Sequence, residues 1–279
     1  MPTLNEKIQH FYDRSTPLWL DTWGEHMHHG YYPPGKPPGH HQEAQVALVD
    51  ALLQWGEARP ASSILDAGCG VGGSARLLAH KLGAERVLAC TLSPVQAEKG
   101  KAYNAAAGLE NVVEIRAQDM MTLQPEDGPF DLIWSLESAE HIGDKAALFQ
   151  LFHSLLRPGG QLIMATWCHR ERPPELDRKD EHILSRISKL YHLPPLPALS
   201  ELTKGAERAG FSQVGSADWS DQVAPFWKAV IRSALTGRSF AGLLKAGLPT
   251  IQGALAMRYM TQGYRRSLIR FGLIKGIRP

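Results

Sequence analysis

Ile64-Leu65-Asp66-Ala67-Gly68-Cys69-Gly70-Val71-Gly72-Gly73-Ser74 is the stretch on which the fold of this chain turns. It reads as a short apolar strand, a glycine-rich turn and the first residues of a helix, Ser74-Ala75-Arg76-Leu77-Leu78-Ala79. Glycines let such a turn take positive φ and let a ligand approach the backbone closely. The helix behind it offers unpaired N–H groups and the positive end of its dipole. Gly68, Gly70 and Gly73 satisfy the dinucleotide fingerprint G-x-G-x-x-G, a weak match when it stands alone. A dinucleotide site also wants an acid at the end of the second strand, and Val87-Leu88-Ala89-Cys90-Thr91 ends without one. Asp66 instead places a carboxylate where pyrophosphate would sit. A cationic ligand suits that turn better, and S-adenosylmethionine, a sulfonium with an amino-acid tail, meets the description. A glycine turn that binds nothing is the plain alternative.

Working outward, strands alternate with helical patterns. Arg86–Thr91 is the second strand, Ser93-Pro94 opens a helix that ends near Gly108, and Asn111–Arg116 is the third strand. Phe130–Ser135 is the fourth, and a helix with Leu148, Phe149, Phe152 and Leu155 follows it. Arg157-Pro158-Gly159-Gly160 stops that helix before the fifth strand, Gln161–Trp167. Alternation of this kind means a doubly wound α/β fold with a parallel sheet and right-handed crossovers, helices on both faces. Ligands then lie outside the carboxyl ends of the strands, where Asp66, Thr91, Asp119, Ser135 with Glu137, and Trp167 all fall.

The flanks read differently. Leu4, Ile8, Phe11 and Tyr12 predict a short helix over 4–14, and Gln42–Trp55 predicts a second. Between them lies an aromatic, histidine-rich run containing Trp19, Trp23, His26, His28, His29, Tyr31 and Tyr32. Five of the chain's 12 histidines fall between His26 and His41. They lack the cysteine partners and the H-x-x-x-H spacing of zinc sites, so no metal is expected. A wall for a flat ligand, or plain core packing, suits them better. After Arg172 come helices over 180–190 and 200–209, a sixth strand Phe211–Trp219, helical stretches over 221–235 and 240–259, and a final strand Tyr264–Lys275. One domain is expected, with 1–60 as an N-terminal cap, 61–219 and 264–279 as the core, and 220–263 as a helical lid.

Composition narrows the partners. Net charge is +2 across 279 residues, which makes no case for nucleic acid. Three well-separated cysteines, Cys69, Cys90 and Cys168, argue against a disulfide framework. The first residues carry no secretory or transit pattern, and no apolar run reaches the roughly 20 residues of a membrane helix. A cytoplasmic protein is expected, with peripheral contact at a membrane surface left open.

Ile64–Ser74, Thr91–Ala97, Leu136–His141 and Arg157–Gly160 together resemble class I S-adenosylmethionine-dependent methyltransferases of the sterol and tocopherol type. Asp21–Tyr32, Thr166–Arg170, Asp218–Ser220 and Pro225–Trp227 narrow the likeness to gamma-tocopherol methyltransferases, with a cyanobacterial origin implied. The resemblance implies transfer of a methyl group from S-adenosylmethionine to the aromatic ring of a lipophilic phenol, gamma- or delta-tocopherol. Similar motifs also occur in enzymes that methylate alkaloid nitrogens, and an alkaloid nitrogen or a sterol is the alternative acceptor. Asp66 and the Gly68–Gly73 backbone, with Cys69, Gly70 and Gly72, would hold the amino-acid part of the cofactor. Most of the class binds ribose with an acid where this chain has Thr91, so Thr91, Leu92 and Gln96 would substitute. Asp119, flanked by Gln118 and Met120, would take the adenine amino group, and Ser135 and Glu137 would line the methyl-donor end.

A phenol with pKa near 10 is scarcely ionised at neutral pH, so a base helps by about 10²–10⁴. His141 is the first candidate, because histidine titrates near neutrality, with Glu137 or Glu140 orienting it or taking the proton. Packing at a helix start is the plain alternative for His141. Trp23, His28, His29, Tyr31, Trp167, Phe226 and Trp227 are expected to shape a slot for the aromatic head and a groove for its hydrocarbon tail.

Overall fold

The computed structural model describes residues 2–35, 39–229 and 248–279, the stretch 248–255 by its backbone alone. Its centre is a sheet in the order β3-β2-β1-β4-β5-β7-β6. The strands are β1 (Ser63–Ala67), β2 (Arg86–Thr91), β3 (Val113–Ala117), β4 (Phe130–Leu136), β5 (Leu156–His169), β6 (Ser212–Asp218) and β7 (Ile269–Ile277). The first five pair in parallel, with Ile64 opposite Val87 on one side and Leu132 on the other. β7 runs antiparallel to both β5 and β6.

Side chains alternate between two cores, as the two-residue period of a strand requires. Ile64, Leu132 and Trp134 face a core completed by Leu48 and Leu52 of α2 (His41–Trp55) and Leu78 of α3 (Gly73–Leu82). Leu65 and Ile133 face the other, filled by Phe149 and Phe152 of α5 (Lys145–Leu155) and Leu202 of α7 (Leu199–Arg208). Between β2 and β3 runs α4 (Pro94–Ala106), with proline in its first turn and the Ser93 hydroxyl accepting from the Gln96 N–H. α6 (Arg178–Tyr191) precedes α7, a short α8 (Ser220–Val223) follows β6, and α9 (Leu248–Arg265) leads into β7. No helix among the described residues is long and apolar enough to cross a membrane.

Two elements depart from the sequence pattern. The first helix, α1, runs over Leu4–Trp23 and passes through Pro17. A reciprocal cap between Thr3 and Glu6 starts it, and Gly24 at φ 81° ends it. The chain expected to form a strand from Tyr264 stays helical to Arg265, so the last strand starts at Ile269. Ser267 takes φ 52° and the Leu268 N–H reaches back to the Gly263 carbonyl, which closes the helix first. Of the helices expected over 221–235 and 240–259, the parts from 230 to 247 lie outside the described residues.

Candidate active site

Two adjoining cavities open beyond the carboxyl ends of the strands. The larger holds about 880 Å³ of empty space, part of it open to solvent. The turn after β1 forms its floor. Gly68, Gly70 and Gly72 all take positive φ, and the N–H groups of Gly68 and Cys69 both donate to the Cys90 carbonyl. A Cβ at Gly68 would fall 2.1 Å from the Ser138 Cβ, so only glycine fits there. Asp66 lies under the turn, 2% exposed, with one carboxylate oxygen lacking a protein partner. Burial pushes its carboxyl up to about 7, against the pull of the Ala75 N–H and Arg76.

Thr91, Leu92 and Gln96 line the wall after β2, and Gln118, Asp119 and Met120 the wall after β3. The Thr91 hydroxyl donates to Gln96 Oε1 at 2.7 Å, fixing the amide whose Nε2 points to Met27 Sδ. Two expected residues sit elsewhere. Gly72 faces Ile115 and Arg76 rather than the cavity. Ser135 is buried one layer behind, 2.9 Å from the Ser138 hydroxyl, and Ser138 lines the cavity in its place.

The roof comes from residues that strand-end reasoning does not reach. From α1, Asn5 donates to Asp119 Oδ2 at 2.6 Å, and Asp13 accepts from the Ser93 hydroxyl. Glu25, His26, Met27 and His28 complete the lining. Glu25 pairs with Arg76 of α3, and His26 Nδ1 lies 3.2 Å from His28 Nε2. Burial, then His28 and Arg76, pushes the His26 imidazole down to about 3.

The smaller cavity is aromatic. Trp19 and Trp23 stack at 4.9 Å, and Trp167, Tyr191, Phe226 and Trp227 face them. His28 and His29 line it as expected, whereas Tyr31 turns away and packs its ring against Trp219 at 5.1 Å. Among the described residues no lysine or arginine lines this cavity. Tyr12, Met27, His28, Glu137 and His141 line both cavities, so this group marks their junction.

Glu137 is held in the left-handed region at φ 51°, a conformation that a buried side chain keeps only when its surroundings impose it. Its Oε1 accepts from the His29 N–H at 2.6 Å, and its Oε2 from His29 Nδ1 at 2.7 Å and Trp167 Nε1 at 3.0 Å. Burial works to raise its pKa, but His29 and these donors win and hold the carboxyl below its ordinary range. Glu140 has the opposite environment. It is buried beside Glu137, accepts one bond from the Thr166 hydroxyl at 2.8 Å, and is pushed up to about 8. Two neighbouring carboxyls with diverging pKa values are a common mark of divided acid–base roles.

Neither carboxylate bonds to His141, contrary to the arrangement expected from sequence. Its Nε2 lies 2.8 Å from the Tyr12 hydroxyl, and its Nδ1 is buried without a partner. Burial, aided by Lys145 and His192, pushes this imidazole down to about 3.

Residues 64–160 match the family model described as a methyltransferase domain. The chain is 41% identical to a probable chloroplastic tocopherol O-methyltransferase of Oryza sativa subsp. japonica, over 100% of this chain and 79% of that protein. It is 38% identical to the chloroplastic tocopherol O-methyltransferase of Arabidopsis thaliana, over 99% of this chain and 83% of that protein. The cyclopropane synthase MmaA2 of Mycobacterium tuberculosis shares the fold, with a TM-score of 0.86 at 19% identity over 99% of this chain and 98% of that one. A glycine turn over a buried acid, strand ends that meet at two adjoining cavities and likeness over the whole of this chain agree: the chain belongs to the tocopherol methyltransferase family of S-adenosylmethionine-dependent methyltransferases.

Proposed function

We propose that this enzyme methylates gamma-tocopherol, and delta-tocopherol with it, at the ring carbon ortho to the phenol, giving alpha- and beta-tocopherol. The observation that carries the reading is the aromatic cavity, with no lysine or arginine among its described lining residues, that meets the cofactor cavity at Tyr12, Met27, His28, Glu137 and His141. A flat apolar head fits such walls, which are mostly apolar with a few placed polar groups. The relatives named for tocopherol support the same acceptor. A lipid-tailed acceptor also implies that the enzyme meets its substrate at a membrane surface.

The residues present fit S-adenosylmethionine. The unpartnered oxygen of Asp66 would take the cofactor's ammonium, and the backbone of Gly68, Cys69, Gly70 and Gly73 would pass along its methionine part. Thr91, Leu92 and Gln96 would hold the ribose side, and Gln118, Asp119 and Met120 the adenine. When bound, the cofactor supplies an electrophilic methyl group that leaves sulfur as the new carbon–carbon bond forms.

The protein's part is to place the acceptor and manage two protons. Moving a proton from a phenol near 10 to a group at about 3 is uphill by seven pH units, or roughly 10 kcal/mol; to one at about 8 it is about 3 kcal/mol. Glu140 is therefore the better acceptor for the phenolic proton, and it can return that proton to oxygen when the methylated ring loses its own hydrogen to solvent. Glu137, with its donors satisfied, holds His29 and Trp167 in the wall.

A lipophilic amine is the second reading, because aromatic faces and buried carboxylates also suit a positively charged product. Incubation with labelled cofactor across gamma- and delta-tocopherol, a prenylated hydroquinone, a sterol and a tertiary amine decides between them. A ring-methylated chromanol is the expected product. A methyl ether, or turnover on the amine alone, would overturn the proposal.

A further inference from the structure

Tyr12 and His141 form an isolated pair at the junction of the two cavities. The hydroxyl of Tyr12 lies 2.8 Å from His141 Nε2, and their rings meet edge to face at 5.6 Å. Among the described residues the Tyr12 hydroxyl makes no other hydrogen bond. His141 Nδ1 is buried and has no protein partner.

A tyrosine hydroxyl carries one hydrogen, and a neutral imidazole carries one N–H and one acceptor nitrogen. Two arrangements satisfy the 2.8 Å contact. If His141 donated from Nε2, the Tyr12 hydrogen would be buried with no acceptor, and Nδ1 would be a buried acceptor with no donor. If Tyr12 donates to Nε2, its hydrogen is used and only the Nδ1–H of His141 remains unpaired. The second leaves fewer buried polar groups unpaired, each of which is costly.

We infer that Tyr12 is a positioning residue that fixes His141 in the neutral tautomer protonated at Nδ1, so that the ring has no free lone pair and does not act as a base. The inference does not depend on which acceptor is methylated. The surroundings agree with a permanently neutral ring. Lys145 approaches from α5 and His192 from the end of α6, and both disfavour a second proton on His141. Tyr12 keeps its own proton, since burial and then Glu140 and Glu137 push its pKa up.

The test is nitrogen-15 NMR on the full-length protein with labelled histidine, with the His141 ring assigned by difference against His141→Asn. The expected result is a neutral ring from about pH 5 to 9 with its proton on Nδ1. In Tyr12→Phe the ring should lose that single tautomer. A proton on Nε2 in the parent overturns the inference even if Tyr12→Phe fails to fold. Turnover supplies the second arm. A ring whose Nε2 is taken by Tyr12 and whose Nδ1 carries its proton has no lone pair for a base, so the pH profiles of kcat/KM for the parent and His141→Asn should share the same midpoint. A midpoint present in the parent and absent in His141→Asn would make His141 a base and overturn the inference. If no phenol is turned over at all, the proposed substrate fails while the tautomer measurement still stands.

Discussion

Glu137 grips His29 twice, through the backbone N–H at 2.6 Å and the ring Nδ1 at 2.7 Å, across 108 residues of sequence. The same carboxylate takes Trp167 Nε1, so one side chain ties the N-terminal segment to β5 at the cavity wall. Glu137→Gln puts an amide N–H₂ against donors. The loss should be about 2–4 kcal/mol of stability, from charge-assisted bonds worth roughly 1.5–3 each, with a fall in turnover. Urea denaturation giving the parental midpoint, together with parental kcat, would leave this clamp without a role.

Asp66 is expected to govern cofactor affinity. Asp66→Asn should weaken S-adenosylmethionine by roughly ten- to a hundredfold, the worth of one hydrogen bond to a charged group. With the carboxyl pushed up to about 7, it is protonated in the free protein below that pH. Parental affinity should therefore decline as pH falls below about 7, and the variant should show a flatter dependence. Calorimetry that finds equal affinities in folded proteins would remove Asp66 from the binding site.

Glu140 is expected to control the pH profile. The parent's kcat/KM should climb through about pH 8 as the carboxyl ionises, and Glu140→Gln should lose about 10²–10⁴ in rate. Stability moves the opposite way. A carboxyl raised from its model-peptide value to about 8 binds its proton more tightly in the folded state, so its contribution to stability is complete at low pH and is lost as pH rises through about 8. Glutamine has no such loss, so the variant's stability should fall less between pH 5 and 8. An unchanged rate profile in Glu140→Gln would send the search for the proton acceptor elsewhere.

Tail length is the fourth expectation. Each buried methylene contributes about 0.8 kcal/mol, so burial of only four gives about 3 kcal/mol, a factor of roughly a hundred in kcat/KM. Tail-less chromanols should be poorer substrates by at least that much. Equal efficiency on tailed and tail-less forms would mean that the aromatic cavity recognises the head alone.

What the sequence disclosed and what it hid follow from range. Asp66, Thr91, Asp119 and Glu137 were legible because each ends a strand whose apolar pattern is local, and parallel strands bring their ends together. Asn5 was not. Its partner Asp119 lies 114 residues away, and nothing near Asn5 marks it except a helix that the pattern ends too early. Tyr12 was visible only as one apolar position of that helix, its hydroxyl giving no periodic signal. Ser135 and Ser138 are both serines near the same strand end, and only the pivot at Glu137, with φ 51°, decides that the second one reaches the cavity. Tyr31 was assigned to the slot by its neighbours, yet its ring follows Trp219 to the outside.

The placement of β7 between β5 and β6 bears on how the protein is made. Among the described residues β6 pairs with β7 and with no other strand, and β7 also covers β5 from Gln161 to His169. A ribosome releasing this chain in order has delivered β6 long before Ile269–Ile277 emerges. Until then β5 offers a bare apolar edge and β6 has nothing to join, the state in which strands pair with neighbouring molecules. Loss of the last eleven residues would therefore remove two strands from the sheet rather than one, and a premature stop there should yield insoluble protein, not a slightly weakened enzyme.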